Sequence, residues 1–250
     1  METDKCTFHL GVTGKSSISI SGMKMELGSV ATPWSPAVTD AIYENNNAII
    51  YDCSGYQNNG TVVGTLTAAA SSPRYDTSIH LNGTDNCIIT PYNSIVPDNI
   101  FTLNLWFHKD ALGSKSYETL FGGPSGFEMD TRSGSSSTLS LYMASIRGGN
   151  VFSPFNLNTW YMVTMVRDGT NEKYYVNGDL KKTIEAKSMP TGTYRIGAWN
   201  GDAKQNYYGE ISDFRIYNNV LSTDDVKELY NTSVSIDKSG NVYAREVIEV

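Results

Sequence analysis

YYVNGDL, at residues 174–180, decides the fold more directly than any other stretch of the sequence. Asn177-Gly178 supplies the positive φ angles that both central positions of a two-residue type I′ turn require. The aromatic and branched residues around this turn favour extended backbone. The stretch therefore predicts a tight β-hairpin.

Working outward from the hairpin, short alternating apolar runs recur along the chain, separated by turn-forming residues. The predicted strands are residues 48–51, 79–81, 87–90, 101–107, 119–122, 138–143, 160–167, 173–176, 180–184, 194–196 and 210–217. Short strands with turn signals about every ten residues are typical of an antiparallel sandwich or barrel. The sequence therefore predicts an all-β fold.

One helix interrupts this pattern at residues 221–230. Ser222 is a good N-cap residue, and Asp224 and Asp225 suit the positive end of a helix dipole. We expect the apolar side of this helix to plug one end of the sandwich.

Composition and charge exclude two classes of partner. The net charge is −7 and no basic run exceeds the pair Lys181-Lys182, so nucleic-acid binding is not expected. The longest apolar stretches fall far short of the roughly 20 residues that span a bilayer, so membrane insertion is not expected either.

Three segments differ in texture. Residues 40–231 form the predicted main body, and residues 1–38 form an N-terminal β arm or the edge of a neighbouring module. Residues 232–250 form a C-terminal β tail that reads as a hairpin. An apolar strand at the end of a projecting tail tends to pair with another chain, so we expect a homo-oligomer.

Several segments of the body together resemble the laminin-G-like, concanavalin A-type jelly roll. They are YDCSGYQNNG (51–60), FTLNLW (101–106), NTWYMV (158–163), YVNG (175–178), YRIG (194–197) and GEISDFRIYN (209–218). The resemblance implies a two-sheet antiparallel jelly-roll sandwich with one short helix and β-rich terminal extensions.

The flanking segments 25–36 and 235–246 are similar to modules of bacteriophage tail and receptor-binding proteins. This second resemblance implies a virion tail or extracellular location, with other virion tail proteins as partners. It also implies a trimer as the oligomeric form.

Catalysis is not expected. Glu128 and Asp130 lie two residues apart, which places both carboxylates on one face of a strand, as in jelly-roll glucanases. The positions that should supply the second glutamate of the glucanase pattern are Thr131, Arg132 and Ser133. The chain has only three histidines (9, 80 and 108) and no GxSxG motif, so acyl transfer has no support either.

Calcium is a possible cofactor on the strength of the jelly-roll resemblance. Related domains hold calcium between the Asp-rich opening loop and the aspartate of the Gly-x-Ile-x-Asp segment. The resemblance implies Asp52, Asn58 and Asp213 as ligands, which are oxygen donors of the kind that calcium prefers. The alternative is that Asp52 closes an Asx-turn and Asp213 is an ordinary carboxylate.

Sugar recognition is the central functional hypothesis. The segment 199–208 combines aromatic rings, which stack on sugars, with amide and carboxylate groups, which bind hydroxyls. The predicted ligand-binding residues are Trp199, Asn200, Asp202, Tyr207 and Tyr208. The three aromatic residues could equally be the rim of the core.

The predicted function is therefore lectin-like binding of a host cell-surface glycan by a bacteriophage tail or receptor-binding component. A structural tail or fibre module that binds no sugar is the alternative. A glycoside hydrolase is the third possibility.

Overall fold

A computed structural model describes residues 48–50, 52, 56–70, 72–73, 77–91, 100–113, 115–133, 139–143, 149–199, 205–236 and 242–246. The predicted arm, residues 1–38, lies outside the described residues. The described elements, in chain order, are β1 (Ile49–Ile50), β2 (Gly60–Val63), β3 (Thr67–Ala70), β4 (Thr77–Asn82), β5 (Cys87–Ile89), β6 (Ile100–His108), β7 (Tyr117–Gly122), β8 (Glu128–Ser133), β9 (Leu139–Met143), β10 (Gly149–Phe155), β11 (Trp160–Asp168), β12 (Asn171–Val176), β13 (Asp179–Glu185), β14 (Arg195–Ile196), β15 (Tyr208–Tyr217), α1 (Thr223–Asn231), β16 (Thr232–Ile236) and β17 (Val242–Glu246).

Two large antiparallel sheets make up the body, which confirms the predicted all-β sandwich. The eight-stranded sheet has the order β1-β2-β5-β14-β7-β8-β9-β10, and the seven-stranded sheet has the order β13-β12-β11-β6-β15-β4-β3. Strands that are distant in sequence are neighbours in both sheets, which is the non-sequential order of a jelly roll. The C-terminal strands β16 and β17 pair antiparallel in a separate two-stranded sheet, where the sequence predicts a hairpin.

The main core lies between the two sheets. Along β6, the alternate residues Phe101, Leu103, Leu105 and Phe107 are buried in this core. Aromatic rings join the sheets; the ring of Phe107, for example, meets that of Phe155 edge to face at 5.6 Å. The alternation therefore assigns the other residues of β6 to the outer face of the seven-stranded sheet.

Helix α1 packs on that outer face, so the expectation that it plugs one end of the sandwich is wrong. Its buried residue Val226 belongs to a second apolar cluster with Trp106, Met162, Val166 and Tyr175, which all point away from the main core. The reason is that β6, β11 and β12 each turn apolar side chains to the outer face of the sheet as well as to the core. The resulting outer apolar patch is covered by helix α1.

The predicted N-cap and hairpin turn are both present. The Ser222 hydroxyl accepts a hydrogen bond from the Asp225 backbone N–H at 3.1 Å, and the Asp225 carboxylate accepts one from the Ser222 backbone N–H at 2.8 Å. At the hairpin tip, Asn177 and Gly178 have φ angles of 51° and 80°. These angles confirm the turn on which the fold prediction depends.

A buried ion pair closes one end of the core. Lys109 Nζ lies 2.5 Å from Glu118 Oε2, and both side chains are only 3% exposed. The Tyr208 backbone is hydrogen-bonded to both members of the pair. Its carbonyl accepts a hydrogen bond from Lys109 Nζ at 3.0 Å, and its N–H donates one to the Glu118 carboxylate at 2.8 Å. Burial lowers the pKa of Lys109, and the Glu118 charge opposes this effect. The pair fixes the start of β15 against the ends of β6 and β7.

None of the helices in the described part of the chain is both long and apolar enough to cross a membrane.

Candidate functional site

The predicted aromatic residues of segment 199–208 do not form one platform. Tyr207 is fully buried in the main core, and its hydroxyl donates a hydrogen bond to the His108 carbonyl at 2.7 Å. Burial raises the pKa of its phenol well above the ordinary value. The ring therefore has no face for a ligand, and the prediction that Tyr207 contacts a sugar is wrong.

Tyr208 is half-buried and lies on the other side of the sandwich from Trp199. It pairs with Asn82 across β15 and β4 and points outward from the seven-stranded sheet. Its side chain lines a cavity of about 280 Å³, together with the turn at Gly83 and the loop residues Leu112 and Lys115. Tyr208 thus belongs to a different surface from the one that Trp199 occupies.

Trp199 is half-buried above the outer face of the eight-stranded sheet. A Cβ on Gly122 would lie 2.9 Å from the Trp199 Cα and 2.9 Å from the Thr119 methyl group, so only glycine allows this approach. At the other end of the same segment, Gln205 accepts a hydrogen bond from the Thr119 N–H at 2.7 Å. Both described ends of the segment therefore lie beside Thr119. The predicted ligands Asn200 and Asp202 are outside the described residues.

Around Thr119, strands β7, β8 and β9 turn a set of polar and aromatic side chains outward. Met129 enters the main core, so its neighbours Glu128 and Asp130 lie on the opposite, outer face, as their spacing predicts. Asp130 stands opposite Thr119 on one side and Tyr142 on the other. We call this set the Asp130 surface; it comprises Tyr117, Thr119, Glu128, Asp130, Arg132, Tyr142, Trp199 and Gln205.

Asp130 is the most perturbed group of the Asp130 surface. Asp130 is fully buried, and its Oδ1 accepts a hydrogen bond from the Thr119 hydroxyl at 2.9 Å. Burial is the main cause that raises the pKa of Asp130 to about 7, and the nearby Glu128 charge adds to it. The Thr119 hydrogen bond and the Arg132 charge act in the opposite direction. Near neutral pH this carboxyl therefore carries a proton in a large fraction of molecules.

Arg132 is held between two aromatic rings. Its guanidinium carbon lies 3.2 Å from the ring centroid of Tyr142 and 4.1 Å from that of Tyr117. One guanidinium nitrogen lies 3.6 Å from Asp130 Oδ2. The stack places a cation, a carboxyl group and an exposed aromatic side chain next to one another, since Tyr117 is 45% exposed.

The predicted calcium ligands are engaged within the protein. Asp52 Oδ2 accepts a hydrogen bond from the Asn58 N–H at 3.0 Å, and Asn59 Oδ1 accepts one from the Asp52 N–H at 2.9 Å. These contacts close the opening loop. Asp213 lies in β15 at a φ of 48°, and its carboxylate pairs with the Arg215 guanidinium at 2.6 Å. Calcium at Asp52, Asn58 and Asp213 stays a prediction.

Sequence reasoning missed five members of the Asp130 surface, namely Tyr117, Thr119, Arg132 as a ligand group, Tyr142 and Gln205. The two-residue period of β8 could have added Arg132, since it continues the outward series of Glu128 and Asp130. The tyrosines required the register of β7 and β9 against β8, which no local pattern reveals.

Comparison with known proteins identifies the fold. The profile of the concanavalin A-like lectin/glucanases superfamily matches residues 81–227. Domain 4 of an extracellular GH43 arabinanase from Geobacillus stearothermophilus, solved with arabinotriose, has a TM-score of 0.58 at 19% identity; the match covers 74% of this chain and 100% of that domain. No curated protein matches the sequence at a significant level.

Two larger structures contain a similar body. The binding domain of Paraclostridial Mosquitocidal Protein 1 has a TM-score of 0.54 at 16% identity, over 80% of this chain and 55% of that one. The sialidase of Trypanosoma rangeli in complex with 2,3-difluorosialic acid has a TM-score of 0.53 at 15% identity, over 76% and 32%. The chain thus spans only part of either protein, and at these identities the likeness concerns the fold.

Proposed function

Because the chain belongs to the concanavalin A-like lectin/glucanases superfamily, we propose that it is a carbohydrate-binding module that holds a cell-surface glycan without cleaving it. The family includes both lectins and glucanases in its description, so the site must decide between them. The observation that carries the proposal is the Asp130 surface, where aromatic rings and hydrogen-bonding groups share one outward face of a sheet.

The chemistry of this surface suits a sugar. The exposed Tyr117 and the half-buried Trp199 are the aromatic residues that would contact the C–H faces of a pyranose or furanose. Glu128, Arg132 and Gln205 supply an anion, a cation and an amide for hydroxyl groups. Strands β7 and β8 hold most of these groups, so the site is largely preformed.

The similar structures support the same class of ligand. The arabinanase domain matches over its whole length and was solved with a bound arabinose oligosaccharide. A second similar structure is described as the binding domain of a mosquitocidal protein, and its description names no ligand. Neither fixes the sugar that this chain binds.

A glycoside hydrolase is the second candidate, and the pKa of Asp130 favours it. A carboxyl group that is protonated near neutral pH is in the state that a general acid needs. Both known hydrolytic geometries, however, require two carboxyl groups that reach the scissile bond. Asp130 has no exposed surface, and Thr119 occupies one of its oxygens, so only Glu128 is available to a substrate. This asymmetry favours binding without cleavage.

We also propose that the module belongs to a bacteriophage tail or another extracellular assembly, as a trimer. The support is the likeness of segments 25–36 and 235–246 to tail modules and the separate strand pair β16–β17 beyond the body. Several weak sites in one oligomer would act together on a cell surface. Native mass spectrometry tests the oligomer, and a monomer would remove this part of the proposal.

A glycan array followed by calorimetry tests the sugar-binding proposal. We expect wild-type protein to bind at least one glycan class, and Trp199→Ala and Tyr117→Ala to weaken that binding by roughly tenfold or more, since each removes a stacking ring. Tyr208→Ala is the matched control, because its ring lies on the opposite sheet and its loss should leave binding unchanged.

Three results would change the assignment. Wild-type protein that binds no glycan or host cell would favour the structural tail module. Binding that is lost in Tyr208→Ala and kept in Trp199→Ala would move the site to the other sheet. Cleavage of the bound glycan that disappears in Glu128→Gln would establish the hydrolase.

A further inference from the structure

A second polar cluster lies on the outer face of the seven-stranded sheet, opposite the Asp130 surface. The strands β4, β15, β6 and β11 bring His80, Glu210, His108 and Trp160 into one transverse row. Glu210 is 130 residues from His80 and 102 residues from His108 in the sequence. The row therefore exists only because of the strand register.

The centre of the row is an imidazole nitrogen between two carboxylates. His108 Nδ1 lies 2.6 Å from Glu210 Oε2 and 2.9 Å from Asp110 Oδ1. One potential ligand atom from each of the three residues lies within 4.8 Å of the others, the only such group of three among the described residues. Both His108 and Glu210 are mostly buried, with side chains 19% and 11% exposed, so sheet packing holds them in place.

We propose that His108, Asp110 and Glu210 bind a first-row divalent transition metal, with Zn²⁺ the best fit. One imidazole nitrogen and two carboxylate oxygens are a donor set that zinc accepts in sites with an open position. Tetrahedral zinc with bonds of about 2.1 Å keeps its ligand atoms about 3.4 Å apart. The His108–Glu210 and His108–Asp110 separations of 2.6 and 2.9 Å need to open by about 0.8 and about 0.5 Å. The 45% exposed Asp110 can swing outward, and the His108–Glu210 pair opens by a small rotation of the two side chains.

The charge balance of the cluster fits a cation. His108 Nδ1 lies within hydrogen-bonding distance of both carboxylates. A metal ion would bind the lone pair of this nitrogen, so any proton there is released on binding. Two carboxylates beside one imidazole nitrogen are oxygen and nitrogen donors of the kind that a divalent cation requires.

The remaining members of the row act as supports. His80 Nδ1 lies 3.3 Å from the second oxygen of Glu210, Oε1, so it orients the carboxylate without needing to touch the metal. The Trp160 ring lies 5.2 Å from the His108 ring, tilted by 33°, and limits its rotation. Water or an oxygen of a bound molecule would supply the fourth ligand of a tetrahedral ion.

Titration calorimetry with Zn²⁺, and visible absorption with Co²⁺ as a spectroscopic substitute, test the proposal on the full chain. We expect one metal per chain and a Co²⁺ spectrum of nitrogen and oxygen ligands without thiolate bands. Asp110→Asn should abolish most of the binding; because Asp110 is exposed, this variant should fold normally. His80→Gln should weaken the affinity by about ten- to a hundredfold, the usual effect of removing a support of a ligand.

Asp179→Asn is the control, since Asp179 is an exposed carboxylate at the hairpin tip. The proposal is overturned by wild-type protein that does not bind Zn²⁺, by equal affinity in Asp110→Asn and wild type, or by thiolate bands in the Co²⁺ spectrum. Displacement of Zn²⁺ by an equal concentration of Ca²⁺ would also overturn it. Glycan binding is measured separately, so failure of the metal site leaves the sugar-binding proposal intact.

Discussion

Replacing Asp130 with asparagine should change how stability depends on pH. The pKa of Asp130 rises from 3.8 to about 7 on folding, chiefly because of burial. Between these two pH values the native state holds a proton that the unfolded state has lost. The wild-type free energy of unfolding therefore falls as the pH rises through this window, and the loss is complete above about pH 7.

The size of the effect follows from the same two values. A difference of about three pH units corresponds to about 4 kcal/mol, at about 1.4 kcal/mol per unit. Asparagine has nearly the same shape, keeps an oxygen for the Thr119 hydroxyl and carries no charge to bury. Asp130→Asn should therefore gain about 4 kcal/mol relative to wild type between pH 4 and pH 8. For a domain of this size that gain is about 10 °C in Tm.

Thermal and urea unfolding of the two proteins at several pH values measures this difference directly. Subtracting one curve from the other cancels the titration of every other group. Asp179→Asn serves as the control, because it changes the same charge at an exposed position and should give a flat difference. If the wild-type and Asp130→Asn curves run parallel from pH 4 to pH 8, Asp130 ionises normally and the argument from its burial fails.

Three further substitutions test the packing that holds the two faces. Lys109→Met should destabilise the fold by about 3–5 kcal/mol in urea unfolding, since it leaves the Glu118 charge buried without its partner. Adding Glu118→Gln to this variant should restore more than half of the lost stability. Gly178→Ala should lower the free energy of unfolding by at least about 1–2 kcal/mol, because the φ of Gly178 is positive and helix α1 crowds the new Cβ. Gly126→Ala has the same backbone strain but places its Cβ in open space, so its loss should be smaller. Equal losses in the two variants would contradict the crowding by helix α1. Ser222→Ala should lower the free energy of unfolding by about 1 kcal/mol through loss of the N-cap, and an unchanged Tm would show that the cap is redundant.

Most of the fold was accessible from local sequence signals. The Asn177-Gly178 turn and the alternation in β6 and β11 are properties of neighbouring residues, and both predictions are confirmed. Strands β2, β3 and β10 were not predicted, and β8 was anticipated only through the spacing of Glu128 and Asp130. The segments TAAA of β3 and EMDTRS of β8 each contain a single β-branched residue and no aromatic residue, so they carry little strand preference of their own. They are strands because β4 and β7 pair with them.

The site residues could be predicted only in part, because their surroundings also depend on strand pairing. Period-two spacing correctly placed Glu128 and Asp130 on one face, but the surroundings of Asp130 come from β7 and β9, which pair with β8 on either side. The distant residue Gln205 contacts Thr119, the hydrogen-bond partner of Asp130. Trp199 and Tyr208 are close in sequence, yet the chain crosses from one sheet to the other between them. Proximity in sequence therefore overstated how many residues of segment 199–208 share a surface.

The two outer faces of the sandwich contribute differently to the stability of the fold. On the seven-stranded sheet, helix α1 covers an apolar patch, and its removal from water stabilises the fold. On the eight-stranded sheet, the chain instead buries the Asp130 carboxyl, which lowers stability above neutral pH. A neutral residue of the same shape would fold better there, so packing alone gives no reason for the carboxyl. A buried group that weakens the fold beneath the exposed Tyr117 and the half-buried Trp199 is what a ligand-binding face would retain to position its outer groups. This contrast is the physical reason for placing the proposed glycan site on the Asp130 surface.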